Sequence, residues 1–240
     1  MIDSVRARRR LRRVATMLLI AVLAVGVASA VGSEGTLSRR EAHAAAVAIN
    51  LRHVDLPSLA AQGNPITAQQ RRFSAQLTAC LGGVPNSRAY AEAQSPTFTG
   101  SGASALTVSS TTEILPSAAL AAKDLAAVVG PAGIPCLQRQ LGGELRASLA
   151  KGDTLQIHGE ALPTVVSGSD GTFALRFDVV VDLKQGNTSF PVPVYYDTIG
   201  FAYGQAEIGL DVLSTSKKPS TTLERRLGAI LLARARAAIG

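Results

Sequence analysis

Residues 172–183 read TFALRFDVVVDL. Phe173, Leu175, Phe177, Val179, Val181 and Leu183 fall on one side at a strict spacing of two. Thr172, Ala174, Arg176, Asp178, Val180 and Asp182 fall on the other. A strand turns successive side chains to opposite faces, so the pattern predicts a sheet with one dry face and one mostly wet face. A dry sheet face needs a cover, and helices elsewhere in the chain can supply it.

The neighbours of this strand are also β. Leu155 to Val166 reads as a strand interrupted by Gly159 and Pro163, and 167–171 turn the chain into the stretch above. Gln185-Gly186-Asn187 turns it again into Phe190 to Phe201. Pro191 and Pro193 predict an edge or a bulge there, because proline has no N–H to give a ladder. Gly204 leads into Ala206, Ile208, Leu210 and Val212. Four strands joined by short turns predict an antiparallel meander. Upstream, Ala105 to Leu115 alternates in the same manner, and a short strand fits Thr97 to Thr99.

Three capping boxes mark helix starts: Ser38-Arg39-Arg40-Glu41, Thr67-Ala68-Gln69-Gln70 and Thr221-Thr222-Leu223-Glu224. In such a box each end satisfies a free backbone donor of the other. The first opens a helix over 39–51 with the stripe Ala44, Val47, Ala48 and Leu51. The second opens one that buries Phe73, Leu77, Cys80 and Leu81 and stops at Gly82-Gly83. Ser117 caps a helix over 118–129 presenting Leu120, Leu125, Val128 and Val129. Pro135 opens the next, with Leu137, Leu141, Leu145 and Leu149 at spacing four. The third box opens a last helix carrying Leu223, Leu227, Ile230 and Leu231. The fold class is therefore α+β, an antiparallel sheet flanked by helices in an α/β sandwich.

The net charge of +7 is an uneven one. Residues 1–13 hold six arginines against Asp3, and the rest of the chain is close to neutral. No basic stripe interleaved with aromatics occurs beyond them, which argues against nucleic acid as a partner. The arginines precede an apolar run, Val14 to Gly32, ending in Ala28-Ser29-Ala30. That is the build of a secretory signal, and the run is also about long enough to stay as a membrane anchor. Both readings place the remainder of the chain outside the cytoplasm. The chain therefore divides into a signal or anchor over 1–32, a linker over 33–37 and one extracytoplasmic domain over 38–240. Cys80 and Cys136 are the two cysteines, and an even count in an exported chain predicts a disulfide between them.

Chemistry is harder to find. His43, His53 and His158 lie far apart and form no compact metal spacing. No nucleophile elbow, phosphate loop or dinucleotide fingerprint occurs. The reading assigns no catalytic residue, no metal ligand and no cofactor. Tyr195, Tyr196, Asp197, Phe201 and Tyr203 crowd into nine positions. On adjacent strands they could share a face with Arg176 and line an amphipathic cleft. Arg176, Tyr195, Tyr196, Asp197 and Tyr203 are thus the binding candidates. The plainer reading is a sheet face under a helix, with tyrosine hydroxyls reaching water.

Local motifs add up to a resemblance. Asn50-Leu51-Arg52-His53-Val54-Asp55-Leu56-Pro57 precedes a helix ending in Cys80-Leu81-Gly82-Gly83. Ser95-Pro96-Thr97-Phe98 precedes Val108-Ser109-Ser110, and Lys123-Asp124-Leu125 lies ahead of Cys136-Leu137. Tyr196-Asp197 is followed by a strand and a helix carrying Arg234-Ala235. Over about residues 45–236 the chain resembles exported proteins and lipoproteins of actinobacteria. These are similar in outline to the PsbP-like lipoproteins and the PknH-like extracellular sensor domains. The resemblance implies an antiparallel sheet flanked by helices and transfers no catalytic residue. No cysteine stands at the end of the apolar run, a departure from the lipoprotein members that argues against their lipid anchor.

The leading expectation is a non-enzymatic module of the cell envelope that binds a ligand or partner. A lipophilic small molecule or an envelope protein fits that role, with the membrane as a further partner if the amino-terminal segment is retained. The rivals are a hydrolase assembled from distant loops, with His158 as base, and a structural or assembly factor held at the membrane.

Overall fold

The computed structural model describes residues 37–240 except 64, 86–87, 102–105, 164 and 187. The apolar amino-terminal run, and the linker as far as residue 36, lie outside the described residues.

The predicted meander forms. Strands β5 (Thr154–Ala161), β6 (Gly171–Gln185), β7 (Thr188–Tyr203) and β8 (Ala206–Ser214) pair in succession, all antiparallel. Gly204 holds φ 52° in the tight β7–β8 turn, a conformation that glycine adopts without steric cost. The sheet continues past β8. Strand β4 (Leu106–Ile114) pairs along the whole of β8, from Leu106 opposite Ser214 to Ile114 opposite Ala206. Two short strands, β2 (Ala91–Gln94) and β3 (Thr97–Thr99), lie along the other side of β4, and β1 (Ala60–Gln62) pairs with β3. Between β2 and β3, the Ser110 N–H donates to Ser95 Oγ at 2.9 Å, bridging the break. The order is β1-β3-β4-β8-β7-β6-β5, with β2 beside β4. Pro191 and Pro193 pair with β6 alone, because β8 reaches only to Tyr195 on the other side. Their missing donors therefore face no strand, the local edge that proline predicts.

Among the described residues five α-helices accompany the sheet: α1 (Arg39–Ile49), α2 (Ala68–Leu81), α3 (Ala118–Val129), α4 (Gly133–Ser148) and α5 (Thr221–Ile239). The first two capping boxes form with both of their bonds. The Ser38 N–H donates to Glu41 Oε2 at 2.8 Å, and the Thr67 N–H to Gln70 Oε1 at 2.7 Å. The third does not form. Helix α5 starts at Thr221 behind Ser220, whose side chain makes no cap bond, and Glu224 turns inward instead.

The dry face is where the alternation of β6 puts it. Phe173, Leu175, Phe177, Val179, Val181 and Leu183 pack with Val194, Tyr196 and Leu213 under α2, α3 and α4. The opposite face is not wet, which corrects the expectation. Ala174, Ile199, Phe201, Ile208, Leu210 and Val212 form a second core there with Ala42, Ala46 and Ile49 of α1 and Leu227, Leu231 and Ala235 of α5. The molecule is thus a helix–sheet–helix sandwich. Only the later part of β6, at Asp178, Val180 and Asp182, keeps a partly wet second face. One strand's alternation reports on its own neighbours, and every residue of β8, two strands away, is buried.

Other registers also shift. The buried stripe of α1 is Ala42, Ala45, Ala46 and Ile49, and Val47 is 54% exposed. In an alanine-rich helix several stripes look alike, and packing against the sheet selects among them. Val129 likewise points outward, while Asp124 is buried in its helix. The disulfide forms as expected, joining Cys80 in α2 to Cys136 in α4 with Cα atoms 5.9 Å apart. A bond closing a loop of this length is worth on the order of 4 kcal/mol in the chain-entropy account. Among the described residues no single helix is long and apolar enough to cross a membrane.

Candidate functional site

The candidate site grows from one cross-strand pair. Arg176 on β6 stands directly opposite Asp197 on β7. Arg176 Nε donates to Asp197 Oδ1 at 2.7 Å, and Nη2 pairs with Oδ2. The planar guanidinium meets the carboxylate at two points, the geometry that fixes orientation as well as charge. Both groups lie under α5. Glu224, in the first turn of α5, is fully buried beside them. Burial first, and the nearness of Asp197 second, drive its carboxyl well above the usual range, while Arg176 pulls the other way. Among the described residues neither oxygen of Glu224 has a hydrogen-bond partner. The neutral acid is the form that fits such a site.

Arg176 also reaches outward. Its Nη2 donates to the Pro219 carbonyl at 3.4 Å, tying down the segment between β8 and α5. Lys218 on that segment pairs with Asp178 at 2.9 Å and stands 3.6 Å from Glu160. The segment forms one wall of a groove of about 510 Å³. Lys217, Lys218 and the hydroxyls of Ser214 and Ser220 lie on this side. Ser58 and Ser101 face them from the β1–β3 side, and Leu59, Leu106 and Leu223 give the lining its apolar part. Among the described residues no carboxylate lines the groove, and Lys217 makes no ion pair. Chemically the groove offers ammonium and hydroxyl donors above an apolar strip.

The candidates read from the sequence separate. Tyr195 is half-buried on the face of Arg176, cross-strand from the groove residue Ser214. Tyr203 lies at the far end of β7, about 26 Å away at the usual rise per residue, with the Arg236 guanidinium 5.9 Å from its ring centre. Tyr196 points to the opposite face of the sheet, which corrects the shared-face expectation. Its ring stacks with Phe177, centroids 6.2 Å apart, and its hydroxyl donates to Asp211 Oδ1 at 2.8 Å. Alternation alone separates Tyr196 from its neighbours, so counting residues from Arg176 through the hairpin would have found this.

The sequence reading missed Glu224, Lys217 and the serines. Glu224 was hidden because a glutamate in a helix's first turn normally serves the cap. Lys217-Lys218-Pro219 was the available signal, a basic pair held before a proline and a helix start. His158 is exposed on β5, opposite Asp178, and makes no hydrogen bond among the described residues. Asp178 is engaged with Lys218, so no relay of base and acid assembles there. Among the described residues no three His, Cys, Asp or Glu side chains are placed to hold a metal ion.

No protein-family profile matches the chain, and no curated protein does. Among solved structures, the chain is similar to the extracellular domain of PknH from Mycobacterium tuberculosis. The two are 8% identical with a TM-score of 0.41, over 85% of this chain and 100% of that one. At that score they share a coarse outline. The likeness touches the PknH-like part of the resemblance read from the sequence and gives the PsbP-like part no support.

Proposed function

We propose that the protein is a non-enzymatic, extracytoplasmic binding module and that the groove above Arg176 and Asp197 is its ligand site. The observation that carries this is the lining: among the described residues it holds lysines and serines without a carboxylate, beside leucines, on a segment fixed from below by Arg176. Concave sites that combine an apolar wall with a few fixed polar groups are where small ligands bind. The lining suits an anionic head group on an apolar stem. Arg176, Asp197 and Tyr195 then support the wall from beneath and do not touch the ligand themselves. The arginine-led apolar run and the Cys80–Cys136 bond both support an oxidising location outside the cytoplasm.

Octyl phosphate is the probe, with inorganic phosphate and octyl glucoside as controls for head and stem. Calorimetric titration of the full chain should give octyl phosphate an affinity at least tenfold above either control. Lys217→Glu, at an exposed position, should abolish that advantage. Equal binding of octyl phosphate and octyl glucoside, or an unchanged Lys217→Glu variant, overturns the assignment.

A further inference from the structure

The groove and the buried charges beneath it share one donor. Arg176 gives Nε and Nη2 to Asp197, and the same Nη2 reaches the Pro219 carbonyl at 3.4 Å. Pro219 belongs to the groove wall, with Lys217, Lys218 and Ser220. Glu224 follows in the first turn of α5, and both it and Asp197 are shut off from water. Two carboxyls and a carbonyl therefore depend on a single guanidinium.

Few charges face Glu224. Strand β6 brings Arg176 and β7 brings Asp197. Strand β8 places the apolar Val212 opposite Asp197. Asp178 acts on Arg176 and is itself paired with Lys218, which also stands near Glu160 of β5. On α5 itself Arg225 and Arg226 are exposed. Arg234, paired with Asp55, lies further along that helix, roughly 15 Å away at the usual rise per residue. Among the described residues Arg176 is thus the cation that opposes burial at Glu224.

Ionisation of Glu224 sets up a competition for that cation. With Glu224 neutral, the guanidinium serves Asp197 and Pro219. A second carboxylate attracts it with a full charge, whereas a carbonyl offers only a dipole. The Pro219 contact is also the longest that Arg176 makes, and so the first to yield. The wall is then left to Lys218 with Asp178, a pair near the surface, where ion pairs hold little. The new negative charge also lies beneath the groove, where little water screens it from an anionic ligand. Loosening and repulsion act in the same direction, against binding of an anion.

We propose that Glu224 is a proton-operated latch on the groove: protonated, it leaves Arg176 to hold the Pro219 wall, and on losing the proton it releases that wall and repels an anionic head group. The inference rests on the reading of the groove as the ligand site. Linkage is reciprocal, so an anion bound there favours the protonated acid, and binding takes up a proton. Burial first, and Asp197 second, raise the Glu224 carboxyl above the usual range, whereas the lysines titrate only near about pH 10.

Octyl sulfate is the probe, because its charge does not titrate near neutrality as that of octyl phosphate does. Calorimetric titration of the full chain should show the affinity falling by about fivefold or more between about pH 6 and about pH 9. Near neutral pH the binding heat should vary with the ionisation enthalpy of the buffer, in the sense of proton uptake. Both readings need only the parent chain. Glu224→Gln keeps the shape of the neutral acid. It should bind at the higher pH as the parent does at the lower, and take up no proton. Equal affinity of the parent at the two pH values, no proton uptake, or a pH dependence retained by Glu224→Gln overturns the latch and leaves the groove standing. Failure of octyl sulfate to bind at either pH overturns the groove, and the latch with it.

Discussion

Phe177 and Arg176 are adjacent on β6 and point into different layers, and each layer has its own penalty. Phe177 is fully buried against Tyr196. Phe177→Ala should cost about 3–5 kcal/mol through the cavity it leaves. Arg176→Ala should cost about as much by another route, because it leaves Asp197 buried without its cation. A double variant, Arg176→Leu with Asp197→Leu, separates the two by removing both charges. It should recover most of the Arg176→Ala loss in urea midpoints, whereas no second-site leucine at 197 should rescue Phe177→Ala. Gly159 belongs to the same layer. A methyl group there would lie 2.8 Å from the Phe177 ring and 2.7 Å from Ile134. Gly159→Ala should therefore destabilise by about 1–3 kcal/mol through overpacking, measured in the same way. What looks in the sequence like an interruption of β5 is the clearance for the phenyl ring opposite.

Elements differ in how much of themselves they declare. Capping at α1 and α2 was legible because Ser38 with Glu41 and Thr67 with Gln70 bond within four residues of each other. The α5 start was not, since Glu224 turns into the core beside Asp197 and leaves its own helix end without a side-chain cap. The buried face of α1 escaped for a related reason. Its alanines have little to distinguish one stripe from the next, and the choice is made by β2 and β4 beneath. The groove was illegible because its walls come from three distant segments with ordinary compositions. At this scale the disulfide is the simplest test. Replacing Cys80 and Cys136 by alanine should lower stability by about 2–4 kcal/mol in chemical denaturation, since α2 and α4 lose their tether.

For the molecule as a whole, three buried carboxyls set the response to pH. Asp211 is raised to about 7 and Asp124 to about 6, and Glu224 is raised by burial and by Asp197. In the unfolded chain such groups ionise near 4. Between these values the folded protein holds protons that the unfolded chain has released, so stability falls as pH rises from about 4 to about 8. Calorimetry should find a higher melting temperature at pH 5 than at pH 8. Glu224→Gln cannot ionise and should flatten part of that slope, retaining more of its pH 5 stability at pH 8 than the parent chain does.

The pairing of β4 with β8 also sets a timetable. Strand β4 ends at Ile114, but its long partner begins at Ala206 and ends at Ser214. A chain made from its amino terminus must deliver some ninety further residues before that side of β4 finds its neighbour. Cys136 emerges well before then, so oxidation can lock the first half while its central strand is still an open edge. The hydroxyls and the glutamate along β4 keep that edge soluble during the wait, as charged and polar side chains do on exposed strands. Arrested chains that stop short of residue 206 should accordingly be oxidised yet protease-sensitive, and protection should arrive abruptly once the last strand is out.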